Sequence, residues 1–207
     1  MSFPESLEQL VTDVFGPILP EHGIPSREVA AGERRVGVTF PRVLRDYYHR
    51  VGRHEQVSEG MNHLLRPSAV YVVNDGLVFE EENQQYYFSG VALSDLGGED
   101  PLVMQGNRGE DVWQPESKRL SDYLLSLICW QAANVLAARA HAPVTPEQLG
   151  RMKAELPWAG FGLDDANDTL GLWGGGVAVA AFTGSMDVYL SARTEQHLRD
   201  FRRRFGV

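Results

Sequence analysis

The chain has 207 residues, 43% of them hydrophobic, enough to bury a full core as one domain or as one domain with an appendage. Its formal net charge of −9 argues against nucleic-acid binding, because phosphate recognition wants a basic surface. The charge is uneven: residues 199–207 carry four arginines against one aspartate, a net +3, which leaves −12 on residues 1–198.

The opening MSFPESLEQL has no basic segment followed by an apolar one, so no signal peptide is expected. Leu7, Leu10, Val11 and Val14 recur at helical spacing, and Gly16-Pro17 ends that first helix. Residues 16–38 begin as loop, and RRVGVTF predicts a short strand weakened by Gly37. The second helix, in TFPRVLRDYYHRVGRH, starts after Thr39 or Phe40 with Pro41 in its first turn. Leu44, Tyr47, Tyr48 and Val51 form its apolar stripe, and Gly52 supplies the C-terminal cap.

After a loop to Pro67, AVYVV and LVF read as strands about a tight turn at Asn74-Asp75-Gly76, and QYYFSGVAL is the next strand. PLVMQ and the residues around Val112-Trp113 predict two more short strands. Ser121 is expected to cap a long, central helix running to about Ala140. It contains the single cysteine, Cys129, which excludes a disulfide framework or a cysteine-based metal cluster and reads as a small buried hydrophobe. Ser126, Gln131 and Asn134 interrupt its apolar run, which is shorter than a clean membrane span. A cytoplasmic protein follows as the expectation. Thr145 and Gln148 are spaced as a capping box with Pro146 in the first turn. LGLWGGGVAVAAFTGSMDVYLSA predicts two or three strands joined by glycine turns. A basic amphipathic helix from Thr194 to Phe205 then carries Leu198, Phe201 and Phe205 on one side. Helices and antiparallel-looking strands without a βαβ rhythm predict an α+β fold, a mostly antiparallel or mixed sheet covered by the helix near 121–140.

The segment LVFEEENQQYYFSG is the most pointed chemical feature. Paired carboxylates can do acid–base work when their environments drive their pKa values apart. On a strand, however, Glu80, Glu81 and Glu82 alternate faces, so only Glu80 and Glu82 share a side. No metal is expected: the six histidines have neither His-x3-His nor HExxH spacing, and DDANDT (164–169) lacks a calcium loop's glycine and closing glutamate. WGGGVAVAAF has no Lys-Ser/Thr after its glycines, GFGLDD does not complete GxGxxG, and no G-x-S-x-G elbow occurs. Asn167-Asp168-Thr169 matches a glycosylation acceptor but has no secretory context.

The order of segments is similar to that of the SUKH superfamily, which includes fungal cell-wall-synthesis regulators and bacterial immunity proteins. The likeness runs over residues 1–142 and lies in the order of its motifs. A helix opens on the apolar-Pro pair Phe40-Pro41. A strand ends in a Glu82-Asn83-Gln84 hairpin. A further strand carries Phe88-Ser89-Gly90, where the family often has an aromatic-Gly pair with tryptophan. Asp100-Pro101-Leu102-Val103 follows, and then Trp113 precedes the Ser/Leu-rich helix. In this chain Val51-Gly52 stands where the family often has asparagine-glycine, and residues 143–207 have no counterpart. The resemblance implies a SUKH-like domain at 1–142 and a C-terminal α/β extension at 143–207 packed on the same domain, with Pro41, Glu82, Asn83, Gln84, Gly90, Pro101 and Trp113 as fold signature.

It also implies a non-catalytic protein-binding domain without cofactor that neutralises a cognate polymorphic toxin by occluding it. The partner would be a basic protein rather than nucleic acid or membrane. On that reading Glu80, Glu82, Asp95, Glu99 and Asp100 meet the basic cleft, and Tyr86 or Tyr87 anchors the interface. Two alternatives stand beside it. One is a small-molecule-binding or hydrolytic enzyme using Glu80 or Glu82, which requires a buried carboxylate in a cleft. The other is a regulatory scaffold in which 143–207 makes an oligomer interface.

Overall fold

The computed structural model describes residues 1–163 and 169–207; the calcium-loop-like DDANDT and the Asn167 acceptor therefore lie outside the described residues but for Thr169. The helices are α1 (Phe3–Phe15), α2 (Ser26–Val36), α3 (Arg42–Val51), α4 (Glu55–Ser58), α5 (Leu120–Val135), α6 (Pro146–Glu155) and α7 (Glu195–Phe205). The strands are β1 (His63–Leu64), β2 (Tyr71–Val73), β3 (Gly76–Glu81), β4 (Tyr87–Ala92), β5 (Val103–Asn107), β6 (Trp113–Ser117), β7 (Ala138–Pro143), β8 (Trp158–Phe161), β9 (Thr169–Gly174), β10 (Val177–Phe182) and β11 (Asp187–Ala192). They form two antiparallel sheets, so the fold is α+β with sheets packed against helices. The chain divides into two compact units, residues 18–121 and residues 1–17 with 122–207. A boundary at 142/143 would cut β7, whose residues 138–143 pair along their whole length with β11.

In the 18–121 unit, β1 and β2 pair with successive stretches of one edge of β3, whose other edge is followed in order by β4, β5 and β6. The predicted stripe of α3 is buried at Leu44, Tyr47, Tyr48 and Val51. Tyr47 bonds to Ser58 at 2.7 Å and Tyr48 donates to the Leu65 carbonyl at 2.8 Å, so both buried phenols are satisfied. Pro41 sits at the N-cap, one position before the expected first turn. Residues 26–36 are helix α2 where RRVGVTF predicted a strand. Gly37 takes φ 77°, the left-handed stop of a helix, and of Val36, Val38 and Phe40 only Phe40 is buried. Its N–H goes to Glu33 Oε1 at 2.9 Å, not to a strand neighbour. Gly32 lets α2 press on the Pro67 backbone, where an added Cβ would stand 2.8 Å from the carbonyl carbon.

In the other unit the order is β7-β11-β10-β9-β8. Val177, Val179 and Ala181 of β10 share one face with Leu170, Leu172, Val188 and Leu190, and pack with Leu149 and Met152 of α6 and Leu198, Phe201 and Phe205 of α7. The opposite face takes α1 and α5. Leu7, Leu10, Val11 and Val14 of α1 are fully buried, each contributing about 1.5–3 kcal/mol by leaving water. Gly171 admits α5, since a Cβ there would come within 2.8 Å of Ser126 Cα. Cys129 is buried against β9, its thiol pushed up by burial. The long helix ends at Val135 rather than Ala140. Alanines there favour helix, but Ala138, Ala140 and Ala142 also alternate with Arg139 and His141, and pairing with β11 wins. The capping box at Thr145 and Gln148 forms as the spacing predicts, at 2.8 and 3.2 Å.

Candidate functional site

The acid-rich hairpin owes its geometry to two local devices. Asn74 and Asp75 take φ of 47° and 59°, the paired left-handed conformation of a two-residue hairpin turn between β2 and β3. A β-bulge then interrupts β3: Val78 faces Gly90, Glu80 faces Ser89, and Phe79 has no cross-strand partner in between. The extra residue reverses the alternation. Glu80 joins the face of Leu77 and Val91, whereas Glu81 joins that of Val78, Phe88 and Trp113.

On the Leu77 face Glu80 is fully buried and accepts from Asn62 Nδ2 at 2.5 Å. Tyr87 is half-buried, and its hydroxyl is raised first by burial, then by the Glu80 carboxylate, while a hydrogen bond with Asn62 opposes the shift. Glu116, on β6, is raised by burial. Its charged form is thus disfavoured in the folded state, and its contribution to stability falls as pH rises through its unfolded value. Glu116→Gln is expected to stabilise the protein at neutral pH, and the gain should vanish below about pH 4, where the carboxyl is protonated in both states. Urea midpoints at the two pH values measure this.

The Trp113 face is floored by glycines. The Trp113 ring covers Gly76 and Gly90, Phe88 covers Gly106, and the two rings meet edge-on at 5.0 Å and 73°. Trp113 Nε1 donates to the Asn74 carbonyl at 3.0 Å. Beside this aromatic layer lies a recess of about 470 Å³ whose lining includes Val73, Phe88 and the carboxylates of Glu81, Glu110 and Asp111. Neutral donors aim all three acids. Tyr71 donates to Glu81 at 2.9 Å, Asn107 to Glu110 at 3.0 Å and Asn74 to Asp111 at 3.1 Å. Burial and the Glu81 contact hold the Tyr71 hydroxyl above its usual range, so it stays a donor. Arg108 also reaches Glu81, at 3.2 Å. The second oxygen of each acid has no hydrogen-bond partner among the described residues. Tyr86, whose carbonyl accepts from the Arg108 N–H, is 71% exposed, and Val112, next to Asp111, is 59% exposed.

The sheet is also where the unit's negative charge collects. Residues 71–117 hold ten carboxylates and a single arginine, whereas residues 18–70 hold eight arginines and six carboxylates. The recess therefore joins oriented acids to an apolar floor and an exposed aromatic, a combination suited to a cationic side chain.

Three residues expected to meet a partner are occupied otherwise. Glu80 is buried. Glu82, 9% exposed, accepts from the Gln84 and Tyr86 N–H groups at 2.9 and 3.3 Å and so shapes the hairpin tip, where Gln85 takes φ 61°. Asp100 accepts from the N–H and hydroxyl of Ser121 at 2.8 and 2.6 Å, capping α5 from a distance, so Ser121 is a donor in the first turn and not the cap. Glu82, which the enzyme alternative invokes with Glu80, does not line the recess, nor does Glu80. Asp95 and Glu99 are exposed, Glu99 lying 3.9 Å from Arg42. Tyr86 is exposed, and Tyr87 is half inside. Among the signature residues, Gly90 and Trp113 prove to be packing partners, the Pro101 carbonyl accepts from the Leu120 N–H at 2.9 Å, and Asn83 contacts Met61 at the exposed tip. Sequence reasoning passed over Glu81, Glu110, Asp111 and Val112. The signal for Glu110 and Asp111 is the polar turn NRGED between two strands, which composition marks only as a turn.

Among the described residues no helix is long and apolar enough to cross a membrane, and none group as ligands for a metal ion. No protein-family model matches the chain, no curated protein matches it, and no solved structure matches it.

Proposed function

We propose that the protein is a non-catalytic binding module that docks a basic protein partner on the acidic sheet of its 18–121 unit. The observation that carries the reading is the recess lined by Glu81, Glu110 and Asp111, which accept from Tyr71, Asn107 and Asn74, with Arg108 also on Glu81 and with Tyr86 and Val112 exposed in the adjoining chain. Oriented carboxylates need no reorganisation when a lysine or arginine arrives, and an acidic surface accelerates encounter with a basic one. The motif order that resembles the SUKH superfamily supports reading the module as a cytoplasmic immunity protein, with a cognate bacterial toxin as the occluded partner.

The test is binding to proteins encoded beside the gene, by calorimetry at low and high salt and by rescue of cells expressing them. A cognate partner should bind more weakly as salt rises. The double variant Glu110→Gln/Asp111→Asn should weaken the complex by about tenfold or more and flatten the salt dependence. A neighbour bound equally well by the double variant would move the interface elsewhere. If no neighbour is bound or neutralised, the immunity reading falls.

A further inference from the structure

A second recess, of about 360 Å³, opens in the other unit between the last turns of α5 and the edge strand β7. Its volume lies in the range of small-molecule sites. Trp130 and Asn134 come from α5, Arg139 and His141 from β7, and Tyr189 from β11. Cross-strand register sets three of these on one face: His141 is opposite Tyr189, and Arg139 is the next outward residue on the same strand. The walls are aromatic. The Trp130 and Tyr189 rings meet at 5.4 Å and 90°, Phe182 backs both, and His141 lies 4.6 Å from Tyr189 at a tilt of 31°.

The polar groups at this recess are few and differ in how far they are satisfied. Asn134 spends its amide N–H on the Trp130 carbonyl at 2.8 Å. His141 Nε2 lies 3.2 Å from Asp187. Arg139 makes one long bond, 3.4 Å, to the Asn134 carbonyl and pairs with no carboxylate among the described residues. Asp187 does not serve it. Asp187 lies four residues along β11 from Ser191, the residue opposite Arg139, which is about 13 Å of strand. In a chain of net charge −9, a guanidinium left open beside a cluster of edge-to-face aromatic rings is the feature that asks for a ligand.

We propose that this recess binds a planar aromatic carboxylate. The ring lies against Trp130 and Tyr189, and the carboxylate takes the planar N–H fork of Arg139, whose geometry matches two oxygens. A cationic ligand of the same shape would have to sit beside Arg139, and a neutral one would leave the fork unused.

Calorimetry and NMR on the full chain with 2-naphthoate, its amide 2-naphthamide and phenyltrimethylammonium test this. Naphthoate is expected to bind, with ring-proton NOEs to Trp130 and Tyr189. The amide, or the variant Arg139→Gln, should each weaken binding by at least about tenfold. Arg139 is exposed, so circular dichroism should show R139Q folded, and R66Q, altered at an exposed arginine outside both recesses, should bind naphthoate as the parent does. The proposal is overturned if naphthoate fails to bind at millimolar concentration, if the amide or R139Q binds as tightly, or if the ammonium compound is preferred.

Discussion

Gly76→Ala is expected to lower stability by about 1–3 kcal/mol, and Trp113→Leu in the same chain should recover most of that loss. The three atoms nearest to a Cβ built on Gly76 all belong to the Trp113 ring, at 2.9 Å, 2.5 Å and closer. The added methyl must therefore lift the indole, which also strains its bond to the Asn74 carbonyl and its edge-on contact with Phe88. A smaller side chain at 113 removes the obstacle. Gly90→Ala should behave differently. Its Cβ would meet Trp113 at 2.8 Å but also the Leu77 carbonyl oxygen at 2.6 Å, and that backbone atom belongs to the neighbouring strand. Trp113→Leu should rescue G90A poorly. Denaturant unfolding followed by hydrogen exchange of the β3 and β4 amides gives the double-mutant cycles. Equal rescue of G76A and G90A would mean that the indole alone, not the strand spacing, makes position 90 a glycine.

That pair of glycines marks where the sequence could be read and where it could not. Helical periodicity found α1 and α3, because the residues of each stripe are the ones the fold buries. Turn chemistry found the hairpins, because Asn-Asp-Gly can adopt the required positive φ and few other triplets can. The order of motifs picked out Gly90 and Trp113, although nothing in a linear pattern says that one is the floor for the other. The errors have physical causes too. A single bulge at Phe79 shifted the glutamates by one position, so Glu81, set aside on alternation, faces the recess, and Glu80 is inside. Asp100 looked like an exposed acid because its partner, Ser121, is remote in sequence. The alanine-rich segment after Val135 satisfied helix and strand patterns alike, and only the presence of β11 decided between them. The recess itself was illegible, since it assembles β2, β3, β4 and the β5–β6 turn, and the acids of β3 and of that turn become neighbours only through sheet order.

Asn62→Leu is expected to cost about 1–3 kcal/mol, the penalty for withdrawing a donor from a buried polar group. Asn62 is 5% exposed, Glu80 is fully buried, and the 2.5 Å bond between them is supported by the hydrogen bond of Asn62 with Tyr87. Leucine matches asparagine in size but supplies no N–H, so the carboxylate keeps its burial and loses that partner. Tyr87→Phe, which removes only the hydroxyl end of the network, should cost less, about 1 kcal/mol. The comparison separates two kinds of acid on one sheet. If Glu80 is part of the scaffold and Glu110 and Asp111 are part of the docking face, N62L should lower the unfolding midpoint while the folded variant binds its partner as the parent does. E110Q/D111N should do the reverse, leaving the midpoint within about 0.5 kcal/mol of the parent, as is usual for surface substitutions, while weakening the complex. A loss of affinity in folded N62L as large as in the double variant would show that the buried glutamate takes part in recognition and that the two faces of the sheet do not act separately.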